Sequence, residues 1–333
     1  MNAPKPSSVT ATIDFDKDGI QHGFLKLPYS RNESAWGTIM IPIACIRNGH
    51  GTTALLIGAN HGDEYEGPIA LQKLALTLSP DNIKGTVIIV PALNFPAFMA
   101  GTRISPIDYG NMNRVFPGRP DGTITEKIAD YFQRFVLPKS DYILDIHAGG
   151  KTLDFIPFAA AHVLENKVQQ AKCVAAMKAF NAPYSMMMLE IDNVGMLDTA
   201  AEEMGKVFVS TELGGGGSAT RKSIAIAHTG IQNFLIHAGI LSGKIKPHKT
   251  IQLDMPDKDC FITCISSGLF EPCFDLGERV SVDDVVGRVY DAERTGIQPV
   301  EYKSRMNGIL TARHYPGLIK TGDCVSVLAV EVT

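Results

Sequence analysis

The stretch "LLIGANHGDEYEGPIAL", Leu55 to Leu71, is an apolar run, then a short polar turn, then a helical pattern. The run is short, aliphatic and closed by glycine, so it reads as a buried strand. The turn sets His61 and Glu64 three residues apart. Taken alone, that turn has two readings: a pair of metal ligands, or a solvated link between a strand and a helix. The order strand, turn, helix recurs downstream, and the recurrence decides the fold class.

Working outward, "EGPIALQKLALTL" has apolar spacing suited to a helix and "GTVIIVPAL" is a second strand. "TEKIADYFQRFVL" is amphipathic, with Thr123 or Thr125 able to cap it. "YILDIHA" is a strand, "ENKVQQAKCVAAMKAF" a helix, "YSMMMLEI" a strand and "MLDTAAEEMG" a short helix ended by Gly205. "VFVSTEL" is another strand and "SIAIAHTGIQNFLIHAGIL" a long helix. Such alternation implies an α/β fold, a mostly parallel sheet with helices on both faces. Residues 1–50 read as extended segments joined to this domain, which spans 51–245. From 246 to 333 short runs split by glycine predict a small all-β module of barrel-sandwich type.

The bulk numbers are those of an ordinary globular protein: 333 residues, 45% hydrophobic and 20% charged, with a net charge of −4. That balance gives no reason to expect nucleic-acid or anionic-membrane binding. The polar N-terminus lacks a secretion signal and no apolar run is long enough to span a bilayer, so a cytoplasmic protein is expected. Six cysteines, at 45, 173, 260, 264, 273 and 324, show no Cys-x-x-Cys pair and read as reduced, packed thiols.

In an open α/β sheet, function gathers beyond the carboxyl ends of the strands. Three strands here end in residues that suit a metal: "TALLIGAN" runs into His61 and Glu64, "YILDIH" ends at His147, and "VFVSTE" at Glu212. Catalytic zinc is commonly held by two histidines and a carboxylate, with a fourth position open. His61, Glu64 and His147 make that set, and Glu212 is left as the acid–base group of an amide hydrolysis. Asp145, two residues before His147, is either a support for that ligand or a buried structural carboxylate. "PALNFPAFMAGTRISPIDYGNMNRVFPG", 91–118, reads as a long functional loop carrying Arg103, Asn113 and Arg114, groups able to grip a carboxylate.

"GANHGDEYEG", "NFPAF", "NMNRVFPG", "DIHAGG" and "TELGGGG" occur in that order. With these motifs the chain resembles the succinylglutamate desuccinylase and aspartoacylase family, whose catalytic domain is related to zinc carboxypeptidases. The resemblance covers about residues 50–240, and a C-terminal β domain also belongs to the pattern. It implies one Zn²⁺ per chain on His61, Glu64 and His147, with Glu212 as general base and acid. It implies that Asn113 and Arg114 bind the substrate carboxylate, that Arg103 steadies the oxyanion, and that the protein is a homodimer. The loop from Arg103 to Asn113 is longer than in aspartoacylase. Within the family, "TRISPIDYGNMNRVFPG" and "STELGGGG" are most similar to bacterial deacetylases of N-acetylated 2,4-diaminobutyrate in ectoine breakdown.

The expected partner is therefore a small N-acyl amino acid. A free ammonium on its side chain should meet an acidic group, and "MMMLEIDNVG" offers Glu190 and Asp192, of which Asp192 is the expected partner. Removal of succinyl from glutamate or of acetyl from aspartate is the rival reaction. A peptide substrate fits less well, because the β module would crowd it. From another class comes a lipoyl- or biotinyl-type carrier, but the tip-like "RMNGIL" has no lysine to modify.

Overall fold

The computed structural model describes residues 5–245 and 247–332. Extended N-terminal segments form β1 (Thr10–Ala11), β2 (Gly19–Pro28) and β3 (Thr38–Asn48). Then come β4 (Thr53–Gly58), α1 (Glu66–Thr77), β5 (Gly85–Val90), α2 (Phe95–Ala100), α3 (Ile124–Tyr131) and β6 (Tyr142–His147). β7 (Leu153–Phe155), β8 (Phe158–Ala161), α4 (Lys167–Phe180), β9 (Tyr184–Met187), α5 (Leu197–Glu203), β10 (Val207–Glu212) and α6 (Arg221–His237) follow. The rest is β: β11 (Ile251–Asp254), β12 (Phe261–Thr263), β13 (Gly268–Pro272), β14 (Arg279–Val280), β15 (Val285–Tyr290), β16 (Val300–Lys303), β17 (Gly308–His314), β18 (Leu318–Ile319) and β19 (Cys324–Glu331).

The large sheet runs β1-β2-β3-β5-β4-β6-β10-β8-β9-β11-β19-β17-β14. It is mixed, which corrects the expectation of a mostly parallel sheet. β5, β4, β6 and β10 are parallel to one another. β8 pairs antiparallel with β10 and parallel with β9, and β9 is parallel to β11. Three antiparallel strands at one edge and the C-terminal strands at the other complete it. The physical reason is local: strands joined without a helix, as β2 and β3 are by residues 29–37, can fold back antiparallel, whereas a crossover, usually helical, is needed to bring a strand back parallel.

Side chains of the central strands alternate between two cores. Ala54 and Leu56 face α1, α4 and α6, while Leu55 and Ile57 face α3 and α5. Both faces are thus covered by helices, and β4, β5 and β6 are buried almost throughout. Thr123, not Thr125, caps α3: its hydroxyl accepts from Glu126 N while Glu126 returns a bond to Thr123 N. Thr125 bonds Asp108 instead.

Segment 91–118 is not a bare loop. Asn94 caps α2, and a 3₁₀ turn at Met112–Arg114 carries two of the expected site residues. At the other end of the chain, β16, β15, β13 and β18 form a small second sheet. It packs on the C-terminal end of the large sheet through Phe270, Val286, Val289, Leu310 and Leu328. β7 adds to the edge of β17, and Thr152 O accepts from Tyr315 N at 2.9 Å. The C-terminal strands are thereby stitched to the segment that follows β6.

Gly62 shows how closely the turn after β4 is packed. A Cβ there would lie 2.1 Å from Ala97 C and 2.2 Å from Phe98 N, both backbone atoms of α2. Gly62→Ala should therefore push α2 off the turn and destabilise the fold by about 1–3 kcal/mol, as overpacking does. Calorimetry should record a melting temperature several degrees lower; an unchanged melting temperature would show that α2 does not brace the turn.

Candidate active site

β4 ends at Gly58, and Ala59 takes a positive φ of 45° before the turn that carries His61 and Glu64. A non-glycine residue in that region is strained, which here marks the turn rather than the strand. β6 lies beside β4 and ends at His147; β10 lies beside β6, and Glu212 stands opposite His147 in the parallel register. Three adjacent strands therefore deliver His61, Glu64, His147 and Glu212 to one sheet edge, as the sequence implies.

His61 Nδ1 is 2.8 Å from Glu64 Oε1, and His147 Nδ1 is 2.9 Å from Glu64 Oε2. One ligand atom from each of the three residues falls within 4.8 Å of the others, and all three side chains are buried. Asp145 settles its two readings by contact: its Oδ2 accepts from His147 Nε2 at 2.8 Å and from Asn60 Nδ2 at 2.8 Å. That bond fixes the ring and leaves Nδ1 as the nitrogen turned toward Glu64. Burial pushes the pKa of His61 down, which favours the neutral imidazole that can ligate a metal. For Glu64, burial works upward, but the adjacent imidazoles of His61 and His147 and their hydrogen bonds outweigh it and hold the carboxyl well below its usual range. His147 lies between two carboxylates, Asp145 and Glu64, which overcome burial and raise its pKa. Two imidazoles and an ionised carboxylate converging on one point, one imidazole braced from behind, are a donor set that fits a divalent ion such as zinc.

Glu212 is half-buried, but its Oε2 is sealed from solvent and has no hydrogen-bond partner among the described residues. Burial first, and then the charge of Glu64, push its carboxyl well above the usual range. A carboxyl this poorly solvated beside a metal set is poised to exchange protons. The glycine run 214–217 takes the chain sharply away from Glu212, with Gly214, Gly216 and Gly217 all at positive φ.

His61, Arg103, Asn113, Arg114, His147 and Glu212 line one cavity of about 140 Å³, together with residues of β10. Arg103 Nη1 is 3.6 Å from Glu64 Oε1. Asn113 Oδ1 accepts from Leu197 N at 2.9 Å and Asn60 Nδ2 at 3.2 Å, so its Nδ2 is the donor left for a ligand. Arg114 Nη1 donates to Asn113 O at 2.6 Å, which ties the pair together. Asp192 is not brought in: it is exposed, absent from the lining, and its Oδ1 accepts from Val194 N at 3.1 Å in a local turn. Glu190 and Asp198 line the cavity instead. The sequence reading also missed Asn60, whose only signal is its place just before His61 at the strand end.

Residues 50–238 match the family model described as the succinylglutamate desuccinylase/aspartoacylase catalytic domain. The chain is 52% identical to the N-alpha-acetyl-L-2,4-diaminobutyric acid deacetylase of Halomonas elongata, over 98% of this chain and 96% of that protein. Among solved structures, it resembles the product-bound ectoine utilization protein EutE (DoeB) of Ruegeria pomeroyi. The TM-score is 0.97 at 61% identity, covering 98% of this chain and 99% of that one. A succinylglutamate desuccinylase from Silicibacter sp. TM1040 is 60% identical with a TM-score of 0.96, covering 98% of this chain and 100% of that one.

Proposed function

The chain belongs to the succinylglutamate desuccinylase/aspartoacylase family, and on that premise we propose that it hydrolyses the amide of a small N-acyl amino acid. The specific reaction is removal of acetyl from N2-acetyl-L-2,4-diaminobutyrate, giving diaminobutyrate and acetate in ectoine breakdown. The observation that carries the hydrolytic reading is the convergence of His61, Glu64 and His147 beside Glu212, whose Oε2 is sealed from solvent and unpartnered among the described residues. The named relative supports the substrate.

His61, Glu64 and His147 would hold a zinc ion, which would supply Lewis-acid chemistry for the amide carbonyl and the attacking water. Glu212 takes a proton from the attacking water on Oε2 and delivers it to the amide nitrogen as that bond breaks. Arg114 and the Nδ2 of Asn113 hold the α-carboxylate, which sits one carbon from the amide nitrogen and so sets the amide against Glu212. Arg103, next to Glu64, donates to the carbonyl oxygen as negative charge develops there. The small cavity suits acetate as the acyl group.

Desuccinylation is the second reading, favoured by the name of the Silicibacter relative. Its substrate carries extra carboxylates and would need extra cations, whereas Glu190 and Asp198 bring negative charge to the cavity. The test is turnover of N2-acetyl-diaminobutyrate, N-acetylaspartate and N2-succinylglutamate before and after chelation. The diaminobutyrate compound should be preferred about 100-fold or more, chelation should abolish turnover and zinc should restore it. Activity that survives complete metal removal, or a preference for either polyanionic compound, overturns the reading.

A further inference from the structure

One group of titratable residues has no part in the hydrolytic machinery. His162, Glu190 and Asp198 bring one ligand-capable atom each within 4.8 Å of one another, and Glu202 joins them. His162 Nδ1 is 3.0 Å from Glu202 Oε1, and its Nε2 stops 3.6 Å short of Glu190 Oε1. His162 and Asp198 are more than nine-tenths buried, and His162 Nε2 has no hydrogen-bond partner among the described residues. Burial opposes the charging of His162, but Glu190, Glu202 and Asp198 outweigh it and raise its pKa to about 10. Burial raises Asp198 to about 6, and the charge of His162 works the other way. One buried imidazole thus faces three carboxyl groups.

This group opens onto a larger cavity of about 830 Å³, lined also by the ends of β9 and α4. Glu190 and Asp198 line that cavity and the small catalytic one alike, so they stand where the two meet. The charge of Glu190 reaches Glu212, adding to the upward push on its carboxyl. Asp198 is also fixed relative to the carboxylate-binding pair. Asn113 Oδ1 accepts from the backbone of Leu197, the residue before Asp198. The lining of the catalytic cavity therefore combines guanidinium and amide donors with two carboxyl groups and the residues of the amide chemistry.

We infer that Glu190 and Asp198 form the specificity subsite that receives the side-chain ammonium of the substrate. The inference rests on the reaction proposed above and names the feature that restricts that reaction to a cation-bearing amino acid. A zwitterionic substrate spans the cavity: its α-carboxylate meets Arg114 and Asn113, and its ammonium takes the negative side. His162 is a positioning residue that keeps Glu190 and Glu202 apart from mutual repulsion. A substrate with a carboxylate in place of the ammonium would meet like charge and is rejected.

The test compares N2-acetyl-2,4-diaminobutyrate with N-acetylnorvaline, in which a methyl group replaces the ammonium, on the full-length zinc-loaded enzyme. The ratio of kcat/KM for the two should fall about 10- to 100-fold in Glu190→Gln and in Asp198→Asn, mainly through KM of the charged substrate. Zinc content and melting temperature, read on the same samples, report whether each variant is folded. Calorimetric binding of free diaminobutyrate should weaken in parallel. An unchanged ratio in folded variants overturns the subsite while leaving the hydrolase reading intact. Failure of the wild type to cleave N2-acetyl-diaminobutyrate defeats the reading beneath it. Two zinc ions per wild-type chain, falling to one in Glu190→Gln, would make the cluster a metal site and also overturn the inference.

Discussion

Glu212→Gln is expected to keep zinc at the wild-type ratio and lose about 10²–10⁴-fold in kcat, the range that a positioned acid–base group supplies. The two outcomes separate because Glu212 is not among the three residues whose ligand atoms converge. It reaches the site from β10, one strand beyond His147, and its Oε2 has no hydrogen-bond partner among the described residues. Glutamine has the same shape and keeps the strand register, but it cannot accept a proton from water and return it to nitrogen. Stability supplies an internal control. Burial and the charge of Glu64 hold the Glu212 carboxyl above its usual range. A neutral amide therefore suits the metal-free pocket at least as well, and the metal-free variant should melt no lower than metal-free wild type. Zinc analysis, steady-state kinetics and calorimetry on one preparation check all three points. A variant that keeps more than a tenth of wild-type turnover would remove Glu212 from the proton path.

The parts of the site that were legible in the sequence share a physical property. His61, Glu64, His147 and Glu212 lie at ends of strands whose aliphatic runs are unmistakable, and parallel strands with helical crossovers carry their ends to one edge. The antiparallel insertion of β8 was not legible. "PFAAA" is short and built from alanine, which gives no alternation and no β-branched signal, and its pairing with β10 is a long-range choice. Missing β8 also hid His162, the residue that directly follows it. Asp198 was overlooked for a different reason. It lies in α5, where an acidic residue reads as part of a solvated face, and the packing of α5 against β10 is a tertiary contact that the local pattern does not carry. Asp192 looked better placed in the sequence, yet its side chain closes its own turn. Loop proximity in sequence carries no information about which carboxylate faces a cavity; that is decided by the neighbouring strand.

His147→Ala is expected to lose both zinc and activity, and here the loss should reach the detection limit. Removing the imidazole takes one of three ligands and also strips Glu64 and Asp145 of a partner each. Two buried carboxylates then remain, with His61 2.8 Å and Ala148 N 3.2 Å from Glu64, and Asn60 2.8 Å from Asp145, as their nearest counterweights. A buried charge robbed of its partner is costly, so the metal-free variant should also melt several degrees lower than metal-free wild type. Asp145→Asn provides the graded comparison. It leaves all three ligands in place but replaces the acceptor that holds His147 Nε2, and zinc affinity should fall about 10- to 100-fold rather than vanish. Competition with a chromophoric chelator measures both affinities, and circular dichroism confirms that the folds survive. The order wild type, Asp145→Asn, His147→Ala in zinc affinity follows only if His147 binds through Nδ1 while Asp145 braces the far side of its ring. Equal affinity in wild type and His147→Ala would mean that the ion is held elsewhere.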